Sequence, residues 1–254
     1  MIIFLSRGDR HRQEEEGNAM KTIGLLGGMS WESSIEYYRI INETVRKRLG
    51  GLHSAKSIMY SVDFADIERL QEQGRWNEAS ALMIDGAERL ERGGADFLLI
   101  CTNTMHKMAD AVEAQIQIPL LHIADATAET LKAGDIKQVG LLGTQFTMEQ
   151  DFYKGRLAEK HALKVLVPNQ EEREIIHRVI YQELCVGVVS SSSQKAFEHV
   201  MNQLAERGAE GVILGCTEIG LLIGEKDSPV PVFDTTKIHA VAAVEYALSE
   251  KSPF

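Results

Sequence analysis

Lys21-Thr22-Ile23-Gly24-Leu25-Leu26-Gly27 returns later in the chain as Lys137-Gln138-Val139-Gly140-Leu141-Leu142-Gly143. A short, unbroken apolar run closed by glycine suits a strand buried on both faces, as in a parallel sheet. Two further passages repeat. Arg92-Gly93-Gly94-Ala95-Asp96, followed by a strand and Cys-Thr, returns as Arg207-Gly208-Ala209-Glu210, a strand and Cys216-Thr217. Ile118-Pro119-Leu120 with Asp125 returns as Val230-Pro231-Val232 with Asp234. The period is far longer than a solenoid repeat, so the chain is read as two copies of one α/β unit.

Strands are expected at Thr22–Leu26, Ser57–Val62, Phe97–Ile100, Leu120–Ile123, Val139–Leu142, Lys164–Val167, Gly211–Leu214 and Val230–Phe233. Helical stretches such as Ser33–Arg48, Trp76–Arg92 and Ser193–Arg207 lie between them. This alternation implies βαβ units and parallel sheets. The expected domains are 20–133 and 134–248, with the C-terminal segment returning to the first. Residues 1–19, polar and carrying Glu14-Glu15-Glu16, are read as a dispensable extension, with translation expected to start at Met20.

The chain has 254 residues, 44% hydrophobic and 25% charged, as in ordinary globular proteins. No apolar run spans a bilayer, and no signal peptide is evident; the cytoplasm is the expected location. A formal net charge of −10 argues against nucleic-acid and anionic-membrane surfaces but not against a small anionic substrate. Three cysteines without CxxC or Cys/His spacing suggest free thiols and no metal site. A small molecule is the expected partner; a homodimer is one assembly left open.

Ligands of open α/β sheets bind beyond the carboxyl ends of the strands. Four segments there carry polar groups: Gly27-Gly28-Met29-Ser30, Cys101-Thr102-Asn103-Thr104-Met105-His106, Gly143-Thr144-Gln145-Phe146-Thr147 and Gly215-Cys216-Thr217-Glu218. Each alone is a capped βα turn. The first lacks the spacing of a dinucleotide site.

Together, from Met20 to about Leu248, they resemble the aspartate/glutamate racemase family, whose marks are Cys-Asn-Thr in the first half and Gly-Cys-Thr-Glu or Gly-Cys-Thr-His in the second. The resemblance implies two Rossmann-like domains related by a pseudo-twofold, a site in the cleft between them, and no pyridoxal phosphate. It implies catalysis by Cys216 on the L face, with Thr102 standing where the first catalytic cysteine is usual. The repeat permits two alignments. One anchor pairs Cys101 with Cys216; the fuller one, on Gly94-Ala95-Asp96 and Gly208-Ala209-Glu210, pairs Thr102 with Cys216. The fuller is adopted and Cys101 read as a small core residue.

The cleft thiol is expected to have a lowered pKa at a helix N-terminus. Met29, Asn103, Thr104, Thr144, Thr147, Thr217 and Glu218 are the expected substrate contacts. The family's usual cations are missing: Glu68 stands close to the arginine position and Cys185 at the lysine position. Arg48 or His53 is expected to meet the side chain of aspartate or glutamate, with Lys154 and Arg156 as weaker candidates. His106, His122 and Asp63 are read as supporting residues or structural ones. The expected activity is cofactor-independent racemisation of amino acids, L-aspartate and L-glutamate first among them. A single-thiol decarboxylase of the same superfamily and a non-catalytic amino-acid sensor are the alternatives.

Overall fold

The computed structural model describes residues 20–249, so the expected extension over residues 1–19 lies outside them. The strands are β1 (Ile23–Gly27), β2 (Ser57–Ser61), β3 (Phe97–Ile100), β4 (Gln138–Gly143), β5 (Lys164–Leu166), β6 (Val212–Gly215) and β7 (Val232–Asp234). The α-helices are α1 (Trp31–Leu49), α2 (Phe64–Glu72), α3 (Trp76–Arg92), α4 (Ala109–Glu113), α5 (Ile123–Ala133), α6 (Gln145–Glu149), α7 (Asp151–His161), α8 (Gln170–Gln182), α9 (Ser191–Glu206) and α10 (Thr235–Ala247). All strand pairs are parallel, in the orders β2-β1-β3 and β5-β4-β6-β7. The strand expected at Leu120–Ile123 shrinks to one parallel bridge, Leu120 to Leu98. Pro119 has no N–H to extend the ladder. His122 caps a helix at once, its Nδ1 accepting from the Ala124 amide at 3.1 Å. With that bridge in fourth place, both sheets have the same order.

Sheet register decides between the two alignments of the repeat. Gly24 pairs with Leu98 and Leu26 with Ile100, while Gly140 pairs with Val212 and Leu142 with Leu214. Since Gly24 corresponds to Gly140, Ile100 corresponds to Leu214, Cys101 to Gly215, and Thr102 to Cys216. Alternation along β3 agrees. Leu98 and Ile100 pack with Met83, Ala87 and Leu90 of α3. Phe97, Leu99 and Cys101 face the other way, into a core with Tyr37, Ile41 and Val45 of α1.

The two cores exchange a helix. Ala240, Ala243, Val244 and Ala247 of α10 pack in the first core with Ile23 and Leu25 of β1. Ile123, Ala124, Ala128 and Leu131 of α5 pack in the second, with Val139, Leu141 and Leu142 of β4. In space α5, which lies within the expected first domain, packs in the second core. Its buried Asp125 is the anchor. Arg156 meets it with two hydrogen bonds, at 2.8 and 2.7 Å, Lys160 at 2.7 Å and His161 at 2.8 Å. These partners hold the carboxyl far below the usual aspartate range, although burial pushes the other way. No helix among the described residues is long and apolar enough to cross a membrane.

Candidate active site

The two sheets present their carboxyl ends to each other, and one cavity lies between them. Thr102, Asn103 and Thr104 line it from the end of β3, Gly215, Cys216 and Glu218 from the end of β6, Met29 after β1, and Thr144 after β4. Phe64 and Gln71 of α2 and Ile180 and Tyr181 of α8 complete the wall with Met105 and Cys185. Close approach at β1 depends on Gly28, whose φ is +92° and whose Cβ would lie 2.3 Å from the Val62 carbonyl oxygen. The cavity has room for about one water, about 20 Å³, so its lining must shift before an amino acid fits.

Glu218 organises the second strand end. Its Oε2 accepts from the Cys216 thiol at 2.9 Å and the Thr217 hydroxyl at 2.7 Å. Its Oε1 accepts from Ser30 Oγ, across the domain boundary, at 2.7 Å. Burial, then the Glu218 charge, pushes the Cys216 thiol well above its usual range. The lowered pKa expected from a helix N-terminus is therefore corrected. The chain after β6 makes one 3₁₀ turn, Ile219–Leu221, not an α-helix, so little dipole faces the sulfur.

The first strand end is built on neutral groups. His106 Nε2 accepts from the Ile123 amide at 3.2 Å, so its other nitrogen carries the proton and donates to the Thr102 carbonyl at 2.7 Å. Burial, then the neighbouring His122 and His239, drives the His106 pKa far down. Thr104 Oγ1 lies 3.0 Å from Thr144 Oγ1 and 3.4 Å from Thr147 Oγ1, a hydroxyl cluster that crosses the domain boundary. Asn103 Nδ2 donates to Thr235 Oγ1 at 3.0 Å, and that hydroxyl donates on to the Leu214 carbonyl at 2.8 Å. The hydroxyl proton being used, the amide's NH₂ end must face Thr235. Its buried Oδ1 then has no partner among the described residues. Leaving such an acceptor unmatched costs about 1–3 kcal/mol.

Several expected contacts lie elsewhere. Arg48 is half-exposed and ion-paired with Glu245, a contact worth about 0–1 kcal/mol. His53 is exposed in its loop. Thr147 and Thr217 sit behind the lining, spent on Thr104 and Glu218. Asp63 caps α2 through the Ala65 amide at 3.1 Å, and Lys154 and Arg156 pair with Asp151 and Asp125. Cys101 is fully buried in the first core, its thiol pushed up by burial. The sequence reading missed the Gln71–Tyr181 wall, where the phenol donates to Gln71 Oε1 at 3.0 Å across the cleft. Tyr181 lies in the very Ile180-Tyr181 motif that marks the lysine position, which was the available signal. No group of three or more His, Cys, Asp or Glu among the described residues could hold a metal ion.

Two parallel-sheet domains joined over such a cleft are the two-domain racemase fold. Residues 26–243 match the Asp/Glu/hydantoin racemase family, and the chain belongs to that family. A crystal structure of an Asp/Glu racemase-like protein of Yersinia pestis superposes with a TM-score of 0.85 at 55% identity, covering 91% of this chain and 100% of that one. An aspartate racemase homologue of Pyrococcus horikoshii gives 0.79 at 36% identity, with coverage of 91% and 100%. The broad specificity amino-acid racemase RacX of Bacillus subtilis is 25% identical over 183 residues, 69% of this chain and 75% of RacX.

Proposed function

We propose that this protein racemises a free α-amino acid without a cofactor, Cys216 acting on one face of Cα and Thr102 on the other. One observation carries the reading: corresponding positions of the two sheets, Thr102 and Cys216, line one cavity together with Asn103. Inversion needs a proton acceptor on one face and a donor on the other. Asn103 Oδ1 suits the α-ammonium, and the hydroxyls of Thr104 and Thr144 suit the α-carboxylate and the charge that builds on it.

The raised thiol pKa fits the task. A thiolate that is costly to form is a stronger base toward a weakly acidic C–H, and Glu218 lies within reach of the proton that the thiol must shed. Thr102 cannot ionise near neutral pH and serves as a donor or relay. The enantiomers have equal free energy, so a slow Thr102 step lowers kcat/KM equally in both directions. Only exchange of the L-substrate's α-proton with solvent can be fast on one face.

The test is loss of the α-proton signal of L-amino acids in D₂O, followed beside chiral chromatography. Wild-type protein should show exchange and slower inversion; Cys216→Ser should reduce both by about 10³-fold or more. Exchange that survives Cys216→Ser refutes the assignment. Absence of exchange in wild type, with an amino acid still bound, favours a sensor.

A further inference from the structure

The turn after β1, Gly28-Met29-Ser30, ends in a serine that does more than start its own helix. Ser30 Oγ donates to Glu218 Oε1 at 2.7 Å, from the first domain into the second, and both residues are 2% exposed. Glu218 Oε2 accepts from Cys216 Sγ at 2.9 Å and from Thr217 Oγ1 at 2.7 Å. The two oxygens of a carboxylate are rigidly joined, so a donor on Oε1 decides where Oε2 points. Without one, the long Glu side chain is free to change rotamer. Thr217 is the adjoining residue and moves with Glu218. Among the described residues, Ser30 is the side-chain partner that refers Glu218 to the opposite domain.

Ser30 is itself fixed. It caps α1, its Oγ accepting from the Ser33 amide at 3.4 Å. Its carbonyl accepts from the Ser33 and Ser34 hydroxyls, each at 3.0 Å. Ser34 Oγ accepts in turn from the Gly28 amide at 2.8 Å, and Ser33 Oγ lies 3.3 Å from the Cys101 carbonyl, one residue before Thr102. These serines seat Ser30 on the ends of both β1 and β3. The second domain repeats the device. Thr144 caps α6, and its Oγ1 lies 3.0 Å from that of Thr104, which corresponds to Glu218.

We propose that Ser30 is a positioning residue, holding Glu218 Oε2 on the Cys216 thiol so that the proton acceptor of one domain is aimed only while the other is in place. This rests on the racemase reading of the same site. The lining must shift before an amino acid fits, and a shift that parts Ser30 from Glu218 frees the carboxylate. Its return aims Glu218 again, with the substrate seated.

The experiment removes the hydroxyl in two ways. Glycine keeps a helix start nearly as well as serine, whereas alanine does not. Ser30→Gly and Ser30→Ala should lower kcat for L-substrate exchange in D₂O alike, by about tenfold, with KM within about twofold. The Tm should fall more for alanine. A second readout needs no turnover: the rate of Cys216 alkylation by iodoacetamide, followed by peptide mass spectrometry. With the Glu218 charge no longer held against it, the thiol should react about threefold faster or more in both variants. With Glu218→Gln present, Ser30→Gly should change neither readout, because its effect runs through the carboxylate. Exchange that falls with the Tm, deeper for alanine than for glycine, overturns the proposal, since the serine then only caps the helix. Unchanged kcat or unchanged alkylation in Ser30→Gly does the same, as does a Ser30→Gly chain that fails to fold or an undiminished effect with Glu218→Gln present. Faster alkylation of the variants, with no exchange by the wild-type protein, upholds the tie and refutes the racemase reading.

Discussion

The end of β3 and the end of β6 occupy corresponding places in the two sheets and carry different groups. At β6 a thiol donates to a buried carboxylate, and Glu218 reaches across to Ser30 of the other domain. At β3 the corresponding residue is a hydroxyl, and Thr104, which corresponds to Glu218, reaches across to Thr144. Four residues beyond Thr102 stands His106, buried and neutral; four beyond Cys216 stands Gly220. Duplication preserved the ties between the domains and let the ionisable equipment collect on one side. A racemase needs groups on both faces of Cα, but those groups need not be equal in acidity.

The largest test of that asymmetry is Glu218→Gln. The amide can still bond Ser30 and Thr217 but cannot take up the thiol proton, so exchange should fall about 10²-fold. Removing the negative charge also favours the thiolate, so the rising limb of the pH–exchange profile should move to lower pH. An unmoved limb would separate Glu218 from the titration of Cys216.

Thr102→Cys should make the two ends alike and raise inversion about tenfold or more for D- and L-substrates equally. Thr102→Ala should spare exchange of the L-substrate and lower inversion. If instead Cys101→Ala removes activity, the site is built on the other strand face.

Acid should weaken the β3 side first. Burial lowers His122 to about 3 and His239 to about 4, with His106 also far down. Unfolded histidine titrates near 6.5. Above that both states are neutral and stability is at its plateau. Below it the unfolded chain takes up protons that the folded one refuses, so stability falls by up to about 1.4 kcal/mol per pH unit for each such group. The Tm should decline between pH 6.5 and 5, before carboxylates protonate; a flat Tm over that window contradicts it.

The smallest expected effect belongs to Arg48→Ala and His53→Ala. Both side chains lie outside the cavity, so KM should change less than twofold, and a larger rise would return Arg48 to the substrate.

The fold was readable because strands buried on both faces are bare apolar runs, which placed most strands to within a residue or two. Leu120–Ile123 misled because its apolar residues serve a bridge and then a helix start. Thr102 was identified by matching the repeat, and sheet register reached the same pairing by another route. Arg48 was chosen on the premise that a lost charge must be replaced, and in the structure it pairs with Glu245. Gln71 and Tyr181 come from helices far apart in sequence, a pairing with no local pattern. The direction of the Cys216 shift depended on a helix that the chain never forms after β6.

The exchanged helices bear on how the chain is made. α10 is the last helix among the described residues and α5 lies near the middle of the sequence, yet α10 packs in the first core and α5 in the second. At roughly 5–20 residues per second, β1 waits on the order of ten seconds or more for Val244 to emerge. During that wait the first half exposes the groove meant for α10, so it should lean on chaperones or stay collapsed and unlocked. A gene cut between α5 and β4 should yield two products that are each soluble only when expressed together, the halves trading a helix as the intact chain does.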